Sequence, residues 1–154
     1  MKHITLKNKL NKNSGFTIIE MLVVLAIIAM LSSIALSMFQ DSKARSRDAK
    51  REEDMKDIQN GLNLYATNNQ RYPECLEDVI DGATDCLSLA MIASGLMKGT
   101  PTDPIGRGSG SSCGGAEREY CYVSDGFSYT LRYALETDTI SGKGAGWQEV
   151  VVGY

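Results

Sequence analysis

A glutamate stands four residues into the otherwise apolar run of "NKNSGFTIIEMLVVLAIIAMLSSIALSMF", Asn11 to Phe39. A carboxylate well inside a bilayer costs about 2.5 to 3.5 kcal/mol or more unless it is paired or shifted to the interface. Glu20 therefore calls for a partner. Ser14-Gly15-Phe16 offers one, because a cut after Gly15 would create a new amine on Phe16, one helical turn from Glu20. An α-amino group has an ordinary pKa of about 7.7 to 8, so at neutral pH it is mostly cationic and can pair with a carboxylate of the same chain or of a neighbour. The competing explanation, a glutamate favoured by the helix dipole, is worth only about 0.3 to 1 kcal/mol and falls short of the burial cost.

The other chemistry-bearing residues exclude more than they suggest. The sole histidine is His3, so neither a Ser-His-Asp or Cys-His nucleophile nor a histidine-ligated metal site can be assembled outside the first residues. The four cysteines, Cys75, Cys86, Cys113 and Cys121, all follow the apolar run. Cys75 and Cys86 bracket one short loop and Cys113 and Cys121 another, so pairing within each neighbourhood is the simplest framework. A four-cysteine zinc site is the rival, and it lacks any Cys-x-x-Cys pair. Net charge is −3, with the acidic excess in the body of the chain, which argues against nucleic-acid binding through overall charge.

The elements that must position Glu20 begin with a membrane span. From Phe16 to Phe39 it is the only charge, and a helix of that length reaches roughly 36 Å, more than the ~30 Å hydrocarbon core. Lys2, Lys7, Lys9 and Lys12 precede it without any acid, which favours a cytoplasmic N-terminus, although basic residues follow it too. Two simpler readings compete. Ser33-Ile34-Ala35 resembles a signal-peptidase site, but signal peptides have apolar cores of about 7 to 15 residues. A permanent monomeric anchor explains the length and leaves Glu20 unexplained.

Together, the basic leader ending in glycine, the Gly-Phe-Thr-x-x-Glu-x-Leu of residues 15–22 and the unbroken apolar helix resemble the signature of type IV pilins and of the pseudopilins of type II secretion. The resemblance implies that a prepilin peptidase cuts after Gly15 and methylates Phe16. It also implies that the subunits bundle their apolar helices in a helical filament, where Glu20 meets the N-terminal amine of an adjacent subunit. Many type IV pilins have a proline within the span; this chain has none there, and Ser32, Ser33 and Ser37 can instead bond back to carbonyls one turn earlier. Major pseudopilins often bind calcium in an acidic loop near the C-terminus. Here "LETDTISGKGAGW" offers Glu136 and Asp138, whereas calcium wants six to eight oxygens. No cofactor is expected, with calcium completed by backbone carbonyls as the alternative.

Beyond the span, nothing up to Asn68 forces a break, so the helix is predicted to continue. Met55, Ile58, Leu62 and Tyr65 form an apolar stripe on it. The almost wholly charged "ARSRDAKREED", Ala44 to Asp54, reads either as a solvated face with weak i, i+4 pairs or as a source of intersubunit salt bridges. Asn68 to Pro73 ends the helix. "DCLSLAMIASGLMKG" reads as a short helix capped by Asp85, with Leu89, Ile92, Ala93 and Leu96 inward, and Gly106 to Gly115 as a flexible loop. The strict alternation of Phe127, Tyr129, Leu131, Tyr133 and Leu135 predicts a strand. Asp125-Gly126 before it predicts a two-residue hairpin pairing Ser124 with Phe127, Tyr122 with Tyr129 and Tyr120 with Leu131. Trp147 to Val152 supplies a third strand, and the tyrosines are read as core.

The expectation is an α+β chain of four parts. Residues 1–15 form a cleaved leader, 16–39 a transmembrane and assembly helix, 40–69 its amphipathic continuation, and 70–154 a head with a three-stranded antiparallel sheet. Function is expected to be structural rather than enzymatic: a subunit that polymerises into a type IV pilus, held in the cytoplasmic membrane with its head outside before assembly. The alternatives are a major pseudopilin of type II secretion and a minor pilin for DNA uptake or adhesion, for which Arg107 and Arg118 would matter. The expected partners are further copies of the chain, a prepilin peptidase, an assembly platform with its ATPase, and the membrane; no nucleic acid is expected.

Overall fold

The computed structural model describes residues 15–106, 113–114 and 119–153, with 35–37 by backbone alone. The leader residues Lys2, His3, Lys7, Lys9 and Lys12, the residues Arg107 and Arg118, and most of the Gly106–Gly115 loop lie outside the described residues. Two compact units are distinguished, Met1–Phe39 and Gln40–Tyr154.

Helix α1 runs Ile18–Asn69. In the first unit every described side chain of the helix is exposed, and Ser33 Oγ donates to the Met30 carbonyl at 2.8 Å, the back-bonding its position predicts. In the second unit the expected stripe is found: Met55, Ile58 and Leu62 are buried, Ala66 joins them, and Tyr65 packs alongside. The helix stops where Gln70 turns left-handed at φ 59°, its N–H donating to the Ala66 carbonyl at 2.7 Å. A left-handed terminator was legible in "NNQ", although glutamine and not asparagine adopts it.

The sheet is four-stranded, β1 (Cys75–Val79), β2 (Cys121–Ser124), β3 (Ser128–Leu135) and β4 (Gly146–Gly153), in that order and antiparallel throughout. The expected three strands thus become four. β1 escapes a periodicity reading because it has two acids in five residues and its register against β2 shifts between Cys75 and Asp78. The hairpin register is also corrected: Tyr122 faces Leu131 and Ser124 faces Tyr129, two residues from the predicted pairing. Asp125 Oδ1 accepts from the backbone N–H of both Phe127 (2.9 Å) and Ser128 (2.7 Å), which lengthens the turn and leaves Phe127 exposed. A slip of two residues keeps each side chain on its face, so Tyr120 and Tyr122 still share the core with Tyr129, Leu131 and Tyr133.

Helix α2 (Cys86–Ala93) is capped by Asp85 as expected, its carboxylate accepting from Ser88 N. The predicted inward face is wrong. Leu87, Ser88 and Met91 are buried while Leu89, Ile92 and Ala93 are exposed; only Leu96 of the expected set lies against the core. Nearly every residue of this helix is apolar, so periodicity could not choose a face. The choice falls to the buried hydroxyl of Ser88, which is bonded to both Asp85 and Thr100.

The tyrosines fasten helix to sheet as well as filling the core. Tyr120 Oη donates to Asp54 Oδ2 at 3.0 Å, Tyr122 Oη to the Pro73 carbonyl at 2.9 Å, and Tyr133 Oη to Glu52. Each buried ring thereby satisfies its polar end on the helix or on the chain leaving it.

The charged stretch of α1 divides: on its exposed side Lys50 pairs with Glu53 at 3.2 Å and with Asp54 at 3.0 Å, as a solvated face predicts, while its other side turns inward. Asp48 and Arg51 are fully buried and Asp54 nearly so. Arg51 Nε donates to Asp103 Oδ2 at 2.6 Å and Nη2 to Asp103 Oδ1 at 3.2 Å, while Nη1 reaches Asp48 Oδ1 at 2.8 Å and Glu136 Oε1 at 2.7 Å. Arg47 takes both oxygens of Glu136. Asp48 accepts from the Glu136 N–H at 2.9 Å, and from the Thr137 N–H and hydroxyl at 2.8 Å each. Lys143 reaches Glu52 at 2.7 Å. Local charge patterning predicts pairs within the helix; partners more than fifty positions away are invisible to it.

These contacts fix a pH response. Hydrogen bonding to Arg47, opposed by burial and reinforced by Arg51, holds the Glu136 carboxyl at about 2. Burial pushes Asp48 up, but the Glu136 and Thr137 donors and Arg51 more than offset it and leave its pKa low. Both carboxyls bind protons more readily in the unfolded chain, where carboxyls titrate near about 4. Their contribution is full above about pH 5 and is lost as pH falls toward about 2. The urea midpoint of the chain is expected to be level between pH 7 and 6 and lower at pH 3, with Glu136→Gln flattening part of that slope. A midpoint that rises on acidification contradicts this.

Candidate assembly site

Gly15, Phe16 and Thr17 are irregular and exposed, and α1 begins one residue later. A Cβ built on Gly15 meets nothing within 4 Å, so the bond after it lies in the open. Thr17 is the N-cap, and Glu20 sits three residues on. Glu20 N donates to Thr17 Oγ1 at 3.3 Å, while Glu20 Oε2 accepts from the Thr17 N–H and hydroxyl at 2.9 Å each. This reciprocal pair is a capping box, written in the sequence as Thr-x-x-Glu, and it satisfies two of the helix's orphan donors. Thr17 is a partner within the chain beside the intersubunit one that the sequence leads one to expect, and the Thr-x-x-Glu spacing alone identifies it.

The carboxylate has two oxygens and the box engages one of them. Among the described residues no hydrogen bond to Oε1 is found, which leaves it for a second donor. Around Glu20 the side chains are apolar and bare: Phe16 is 82% exposed, and Ile18, Leu22 and Leu25 are exposed likewise. This stretch makes α1 long and apolar enough to cross a membrane, and its described side chains are exposed.

The remaining expected site residues lie in the head. Cys75 bonds Cys86 and Cys113 bonds Cys121. The first bridge ties β1 to the start of α2 and the second ties β2 to the preceding loop, each capable of contributing about 2 to 4 kcal/mol by restricting the unfolded chain. Among the described residues no group of three or more His, Cys, Asp and Glu side chains is placed to hold a metal ion.

A helix whose apolar half is bare and whose polar half seats an antiparallel sheet defines a pilin-like subunit. The family model described as the prokaryotic N-terminal methylation motif matches residues 10–36. Type II secretion system core protein G of Escherichia coli (strain K12) is 30% identical over 100 residues, 62% of this chain and 69% of that protein. The protein of the same description from Vibrio cholerae is 27% identical over 126 residues, 80% of this chain and 79% of its own length. A fimbrial protein of Moraxella nonliquefaciens is 34% identical over 76 residues, 49% of this chain and 47% of that protein. No solved structure matches. The chain belongs to the pilin and pseudopilin family, a structural family whose members are subunits with a prepilin processing motif at the N-terminus.

Proposed function

We propose that this chain is cut after Gly15, methylated on Phe16 and polymerised from the cytoplasmic membrane into a helical filament of the secretion pseudopilus kind, with its head outside. The observation behind the pseudopilus reading is the reach of the likeness. An alignment of 126 residues runs far into the head, whereas 76 residues need take in little more than leader and helix. In the filament the bare helices replace lipid with one another, and the free oxygen of Glu20 receives the Phe16 amine of an adjacent subunit. Catalysis has no part in this mechanism, since apolar packing supplies cohesion and one ion pair supplies register. A prepilin peptidase and an assembly ATPase with its platform are the partners this requires.

A surface pilus is the second reading, favoured by the two disulfides of the head, which suit a fibre exposed to an oxidising exterior. Deleting the gene in its own host separates the two. Loss of exported enzymes from the medium, without loss of long shed fibres, is the expected result; disappearance of such fibres with export intact decides for the pilus.

A further inference from the structure

The calcium alternative that the resemblance raises does not fit the loop that would hold it. The loop between β3 and β4 presents Glu136, Thr137 and Asp138, and at least one side-chain oxygen of each is engaged within the chain. Glu136 receives Arg47 and Arg51, the Thr137 hydroxyl donates to Asp48, and Asp138 Oδ1 accepts from the Ala145 N–H. The same loop carries Lys143, whose ammonium sits on Glu52 and over the Tyr133 ring. A dication placed here would sit among cations and would have to displace them to gather six to eight oxygens.

The cation that gathers the carboxylates at this end of the loop is Arg51. Its guanidinium joins three separate parts of the chain: Asp48 on α1, Asp103 on the segment after α2, and Glu136 at the end of β3. With Arg47 on Glu136, two guanidiniums face three carboxylates, so the cluster comes within one charge of neutrality. Several hydrogen bonds from one planar fork are something a lysine ammonium cannot reproduce in the same geometry. Asp48 extends the clamp by receiving the first two backbone N–H groups of the loop, those of Glu136 and Thr137.

We propose that Arg51, assisted by Arg47 and Lys143, does for the β3–β4 loop what a bound divalent cation would otherwise do, so that this head folds independently of calcium. The inference concerns the head alone and does not depend on which filament the chain builds.

The test uses the full chain in detergent micelles, with melting followed by the fluorescence of Trp147, the only tryptophan and a residue of β4. The melting temperature in EGTA and in ~5 mM calcium chloride, at matched ionic strength, is expected to agree within ~1 °C; a higher value in calcium overturns the proposal. A second comparison sets Arg51→Lys, which keeps the charge, against Arg51→Gln, which keeps polarity without it. The lysine variant is expected to melt higher, and a glutamine variant that equals or exceeds it overturns the proposal. Should neither variant fold, the calcium comparison on the unaltered chain decides.

Discussion

Arg51→Met is expected to destabilise the head by about 3 to 5 kcal/mol, because it leaves buried carboxylates without their counter-charge. Replacing a whole buried ion cluster by apolar residues can be neutral or favourable, but removing one partner cannot, since the others stay desolvated. Here the orphaned groups are Asp48 and Asp103, both buried, and Glu136, which retains Arg47. A loss of this size is a large fraction of the roughly 5 to 15 kcal/mol that holds a domain together. Urea unfolding of the full chain in detergent, read by Trp147 fluorescence, gives the number. A midpoint equal to that of the unaltered chain means the cluster adds nothing to stability.

The second large effect concerns Glu20. Glu20→Ala is expected to leave leader removal and membrane insertion intact and to abolish filament formation. Alanine, however, removes both the capping contact and the charge. Glu20→Gln separates them, because glutamine can serve in a capping box and cannot attract an amine by charge. If register depends on the ion pair, glutamine blocks assembly as alanine does, and Thr17→Ala, which removes only the capping hydroxyl at about 0.5 to 2 kcal/mol, does not. Counting filaments shed by each variant decides. Assembly of the glutamine variant at ordinary yield assigns Glu20 to capping alone.

Much of this molecule could be read from single-residue periodicity. The span, the buried stripe Met55-Ile58-Leu62, the Asp85 cap and the alternating strand from Tyr129 to Leu135 each depend on neighbours within a turn or two, which a sequence displays directly. What stayed hidden depends on distant partners or on the absence of contrast. Arg51 looks like any surface arginine until Asp103 and Glu136 are brought to it. The acidic β1 has no alternation to betray it, and α2 is too uniformly apolar to show which side faces in. The hairpin error has a different origin, since an Asx turn at Asp125 competes with the tight turn that Asp-Gly favours. At the candidate site the reverse holds. Gly15, Phe16 and Glu20 are conspicuous because a charge in an apolar run demands explanation, whereas the contribution of Thr17 is local and rests on spacing alone.

Pairing at Glu20 requires an N-terminus that exists only after processing, and the direct measurement is mass spectrometry of the N-terminal peptide from isolated filaments of this chain. A peptide beginning at methylated Phe16 is the expected result. Filaments whose subunits still begin with the lysine-bearing leader would contradict the account, because Glu20 would then have no amine to meet.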